Sequence, residues 1–147
     1  MHSICETVID KPQAPLAALL ADPTKNKHWM KDLKNYEPIS GMPGTVGAKS
    51  RLVFKNGKQQ MVFTATMTTK NLPTTTTIVL ESKMVQVTAV ARFIKLSDSQ
   101  TRYVSDQQFQ FKGAVNKLLG FFVQGAIKKQ QHKHMEDFKH FAESTLA

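Results

Sequence analysis

Between Ala48 and Phe111 apolar side chains recur at every second position, and after Gly113 they recur every three to four. A period of two puts alternate side chains on opposite faces of a strand, while a period of 3.6 gathers them on one side of a helix. A chain ordered this way carries a run of antiparallel strands with one apolar face, then one long helix able to cover it. That order predicts an α+β fold in which a curved sheet buries its apolar face on the final helix.

The strand readings follow from parity. Leu52 and Phe54 share a face, with Arg51 and Lys55 on the other. "MVFTATMTT" sets Met61, Phe63, Ala65 and Met67 against Thr64, Thr66 and Thr68. Asn56-Gly57 between these segments signals a hairpin turn. Ile78 and Leu80 align in "TTTTIVLES", where threonine suits an exposed strand face. Val85, Val87, Ala89, Ala91 and Phe93 make the next row, and Tyr103, Ser105, Gln107, Phe109 and Phe111 the last. Upstream, "HSICETVID" alternates as a strand. "DKPQAPLAALLADP" then predicts a short helix with Asp10 as its N-cap, and a second short helix is expected from Thr24 to about Leu33. The long helix should present Val115, Leu119, Phe122, Ala126, Gln130, His134, Phe138 and Phe141 to the sheet.

One segment breaks the alternation before it begins. "GMPGTVGAKSRLVF" packs Gly41, Gly44, Gly47 and Pro43 into seven residues and then enters a strand. Glycine permits positive φ and proline fixes its own, so the chain can reverse tightly and aim Ala48, Ser50, Leu52 and Phe54 at the concave face. The segment lacks the Gly-Lys-Ser/Thr ending of a phosphate loop and precedes a strand, not a helix, which argues against nucleotide binding.

Length and charge narrow the function classes. At 147 residues the chain is expected to form one domain. The net charge of +9 raises nucleic acid as a partner, but only Arg51, Arg92 and Arg102 are arginines and no helix-turn-helix, zinc or RNA-recognition pattern is present. The lysines read as a solvated basic surface, with weak association to anionic membranes as the partner such a surface would favour. The single Cys5 excludes an internal disulfide and fits a reducing cytoplasm. "MHSICETVIDKPQAP" has no signal-peptide pattern, and "LLGFFVQGAI" is shorter than the about 20 residues a membrane span needs, so a soluble protein is expected.

The element order, together with Pro23 and Trp29 in "DPTKNKHWMKDL", the turn "GMPGTVGAKSRLVF", Gly57, and "FQFKG" before the long helix, resembles the START-like or SRPBCC superfamily. That superfamily includes polyketide cyclases, lipid-transfer domains and the birch-pollen-allergen type. The resemblance covers nearly the whole chain. It implies a helix-grip fold: a sheet of about seven strands, two short helices after the first strand, and a deep apolar cavity between the sheet and the C-terminal helix. It implies no cofactor and no universal catalytic residue, so fold alone does not set the function.

On that expectation the cavity would be lined by Trp29, Leu52, Phe54, Met61, Phe63, Met67, Phe93, Tyr103, Gln107, Phe109, Phe122, His134 and Phe138. Apolar walls with a few hydrogen-bonding groups describe most ligand sites, of several hundred Å³. No aspartate or glutamate falls on these inward faces, so a carboxylate general base is not expected. His134 is the one inward candidate for proton transfer, with Tyr103 or Gln107 able to steady an oxyanion. His132, His134 and His140 have the wrong helical spacing for a shared metal ion. The reading favoured by these residues is binding or carriage of an apolar or amphipathic small molecule such as a lipid, quinone, polyketide or aromatic. A polyketide-cyclase-like enzyme using His134 as acid/base is the alternative.

Overall fold

The computed structural model describes residues 1–113 and 120–147, with the side chains of 120–123 excepted. Its elements are β1 (His2–Ile9), α1 (Gln13–Ala21), a 3-10 turn (Pro23–His28), β2 (Leu33–Ser40), β3 (Lys49–Asn56), β4 (Gln59–Asn71), β5 (Thr75–Glu81), β6 (Val85–Lys95), β7 (Thr101–Phe111) and α2 (Gly120–Thr145). The strands form one antiparallel seven-stranded sheet in the order β1-β7-β6-β5-β4-β3-β2, and α2 packs across it. This is the α+β architecture expected from the period change, in the helix-grip arrangement that the resemblance implies.

Register confirms the parity. The inward rows Cys5–Ser105–Ala91, Gln107–Ala89–Ile78–Met67 and Phe109–Val87–Leu80–Ala65 each run across consecutive strands. No element is assigned from the sequence to residues 34–40, where β2 forms with Pro38 inside it. It forms at the sheet edge and its register shifts after Pro38, the two settings in which a strand tolerates a residue without an N–H. The second helix is correspondingly shorter than expected, a 3-10 turn ending at His28. Its N-cap is Asp22, whose carboxylate accepts from the Thr24 N–H at 3.0 Å. Asp10 does not cap α1. Its backbone N–H instead donates to Glu143 and its carboxylate accepts from Gln100. The β3–β4 hairpin turns on Gly57 and Lys58, one residue later than read, with positive φ at Gly57 alone as a type II′ turn requires.

Gly41, Gly44 and Gly47 take φ of 76°, 85° and 88°, so the reversal between β2 and β3 uses the conformations that only glycine adopts freely. Gly44 lies over Ala21 and Pro23, which ties this loop to the end of α1. The Gly47 N–H donates to the Met67 carbonyl at 2.7 Å and extends the β3–β4 ladder.

The inward stripe of α2 sits one residue off the expected line in its middle turns. Gln131, Met135, Phe138 and Ala142 are buried, whereas Ala126 is exposed and Gln130 and His134 lie at the margin. The spacing of four, three and four is still one helical face, turned so that Phe138 points to the centre of its contact with the sheet. Val115, Leu119 and the Phe122 side chain lie outside the described residues. Among the described residues, no helix is long and apolar enough to cross a membrane.

Candidate functional site

Small side chains decide where the sheet and helix fail to meet. Ala65, Ala89 and Ala91 occupy the central inward rows, beside Ser50 and Ser105. Above them a hollow of about 200 Å³ opens between the sheet, α2 and the 3-10 turn. It is smaller than the several hundred Å³ expected, because Met30, Tyr36 and Met135 also reach into its walls. A cavity of about 150 Å³ already admits benzene, so this volume suits one or two rings or a short chain.

Trp29, Leu52, Phe54, Met67, Tyr103, Gln107 and His134 line the hollow. Of the other expected residues, the Phe122 side chain lies outside the described ones, and Met61, Phe63, Phe93, Phe109 and Phe138 do not line it. Phe93 and Phe138 are 2% and 0% exposed and belong to the solid core with Ile9, Leu16 and Tyr103. Phe63 packs edge-on against Phe54, behind the wall. Phe109 stacks on Phe111 toward the far end of β7. Met61 shares the inward parity but is 41% exposed, since it pairs with Phe54 at the hairpin end of β4 beyond the hollow. Parity therefore names the face correctly, and position along the strand decides between wall and core.

The Gly-rich reversal does supply one rim. Pro43, Gly44 and Ala48 line the hollow together with Pro23 and Asn26 of the 3-10 turn. Trp29 closes that turn and is 5% exposed, its ring edge-on to Phe138 at 5.2 Å and to His134 at 6.1 Å. It wedges the turn against α2 and walls the hollow at once. Among the described residues, its Nε1 is the one buried side-chain polar atom without a hydrogen-bond partner.

Two polar groups at the site escaped the sequence reading. Gln131 is 4% exposed and accepts from Ser3 Oγ at 2.5 Å while its amide donates to the Ser3 and Ser105 carbonyls, both at 3.0 Å. It pins α2 to β1 and β7. Placing Phe138 at the centre of the helical face would have found it, seven residues back. Asp32 is a carboxylate beside His134 that stands in the outer cleft, off the inward strand and helix faces. It sits in the turn before β2, where its carbonyl accepts from the Lys55 N–H at 2.8 Å, and no periodicity marks such a position. His134 Nε2 lies 2.9 Å from Asp32 Oδ1, and the Gln130 amide donates to Oδ2 at 2.8 Å. Burial works to raise the Asp32 pKa, but the His134 hydrogen bond and charge and its own backbone N–H together hold it below the ordinary carboxylate range.

Burial also pushes the Tyr103 hydroxyl well above its usual range, so it remains a protonated donor. The Cys5 thiol is raised by burial and stays a thiol, unsuited to nucleophilic work.

No protein-family model matches the sequence, and no curated protein matches it. Solved structures do. A protein of Thermus thermophilus, TTHA0849, superposes with a TM-score of 0.83 at 14% identity, over 100% of each chain. The Zhui aromatase/cyclase from Streptomyces sp. R1128 gives 0.82 at 13% identity, over 100% of this chain and 96% of the other. The ginseng major latex-like protein 151 from Panax ginseng gives 0.76 at 10% identity, over 96% of each. At these identities the likeness speaks to fold. The chain has the helix-grip fold of the START-like, or SRPBCC, superfamily.

Proposed function

We propose that this protein binds and carries a small apolar or amphipathic molecule in the hollow between β3–β7 and α2. The observation that carries this reading is a void walled by Leu52, Phe54, Met67, Ile78 and Leu80, with polar groups such as Tyr103, Ser105, Gln107 and His134 beside them. A ligand moved there from water gains about 25 cal/mol per Å² of apolar surface buried, and one or two hydrogen bonds would fix its direction. The solved neighbours support the reading by fold, one of them being an aromatase/cyclase. A cytoplasmic setting belongs to it, with Cys5 a free thiol.

A second reading, enzymatic proton transfer through His134, draws on one specific observation, the Asp32 contact at 2.9 Å. The two separate experimentally. Native mass spectrometry of freshly purified protein, followed by titration with an apolar fluorescent probe, should show an added mass or saturable uptake. A fully apo spectrum with no uptake contradicts carriage. Loss of turnover in His134→Ala with probe binding retained would favour the enzyme.

A further inference from the structure

His134 borders two spaces. Its ring lines the hollow beside Trp29 and Phe54, and it also lines a separate outer cleft with Asp32. The Asp32 carboxylate is ionised at neutral pH and can only accept, so the 2.9 Å contact is a hydrogen bond when a neutral His134 carries its proton on Nε2, and the Gln130 amide nitrogen, 3.0 Å from the same Nε2, then directs its own proton to Asp32 Oδ2. Nδ1 then carries the lone pair. It makes no hydrogen bond among the described residues, and it is not sealed in, since the buried unpaired atom there is Trp29 Nε1 alone. The two nitrogens of an imidazole point away from each other, so an Nε2 turned to the outer cleft leaves Nδ1 turned from it.

We propose that Asp32 is a positioning residue that fixes the His134 tautomer, making Nδ1 a hydrogen-bond acceptor for a phenolic or enolic hydroxyl on a ligand in the hollow. The inference rests on the carriage reading above and names the ligand class for that site. Aromatic walls favour a flat ligand, with Trp29 at 6.1 Å and Phe54 at 6.5 Å from the His134 ring centre. A weakly acidic O–H supplies the donor that an exposed lone pair lacks, and an ionised carboxylate would bring only acceptors to it. In this arrangement the hydroxyl hydrogen bonds to Nδ1 while Nε2–H continues to donate to Asp32, the pattern by which a carboxylate orients an imidazole base.

Isothermal titration calorimetry with 2-naphthol and 2-methoxynaphthalene tests this, because the two probes share a ring system and differ in the donor proton. The wild type at about pH 8 should bind the naphthol several-fold to about tenfold more tightly, the scale of one net hydrogen bond. The ratio should fall toward unity in Asp32→Asn and in His134→Leu. The charged groups around this ring are Asp32 and Lys31 before β2, Lys55 on β3, and Lys133 and Asp137 on α2, with Lys133 paired to Asp137 at 3.1 Å. Equal binding of both probes by the wild type, or a ratio that survives in Asp32→Asn, overturns the inference and leaves carriage standing. Binding of neither probe removes the carriage reading and this inference with it.

Discussion

The two ends of one concave face are built from the same alternating pattern and reach opposite outcomes. At the β1–β7–β6 end, Phe138 packs with Ile9, Phe93 and Ala142 in a closed core, and Tyr103 and Met135 stand between that core and the hollow. Toward β3, β4 and β5, alanine and serine stand at the central rows and α2 passes above without entering, so Leu52, Met67, Ile78 and Leu80 face a hollow. Apolar character is common to both ends. Side-chain size at a handful of positions separates core from site, as close packing demands wherever volumes match.

Truncation should expose this difference most strongly. Phe138→Ala removes a side chain with 0% exposure and should cost about 3–5 kcal/mol in denaturant unfolding. Leu52→Ala, which already meets the hollow on one side, should cost about 2 kcal/mol, the low end for such a change. Equal losses at the two positions would break the distinction.

Enlargement should keep the same ranking of tolerance. Ala142→Phe forces a ring into the solid end, where Ala142 is 0% exposed, and should destabilise by about 1–3 kcal/mol. Ala89→Phe projects into the hollow and should change the unfolding midpoint little while abolishing probe uptake. A strongly destabilised Ala89→Phe would mean that the space is already filled.

The rim can be probed through its glycines. Gly41→Ala should cost more than the roughly 1–2 kcal/mol of a left-handed residue, because the new Cβ would lie 2.9 Å from the Ala48 Cα. Gly47→Ala meets nothing within 4 Å and should show the conformational cost alone. Matching thermal shifts for the pair would remove the steric part.

Much of the architecture was legible in the residues, and the exceptions have physical causes. Alternation marks the strands from β3 to β7 and their inward faces because each pairs on both edges and buries one side. β2 was hidden because an edge strand accommodates proline and polar residues such as Lys34, Asn35 and Glu37. Within the site, Leu52, Phe54, Met67, Tyr103 and Gln107 were readable from parity, but Phe93 and Phe138 share the same signature and are core. Asp32 was not readable at all. Its meeting with His134 joins residues 102 positions apart through a turn that carries no repeating pattern.

The smallest expected effect concerns that pair. Because folding holds the Asp32 carboxylate below its unfolded value, its contribution is complete above about pH 4 and is lost as pH falls through the lower folded value. Unfolding midpoints measured down the acid limb should therefore fall faster in the wild type than in Asp32→Asn. Parallel acid limbs would show that the pair does not hold the rim of the open end.

Trp29 is the only tryptophan and stands in the wall of the hollow, so its emission reports occupancy directly. Energy transfer from Trp29 to 1-anilinonaphthalene-8-sulfonate should rise to saturation in the wild type and vanish in a folded Ala89→Phe variant. Transfer that is absent in the wild type, or that persists unchanged once phenylalanine occupies the space, would contradict an open apolar site at this end of the sheet.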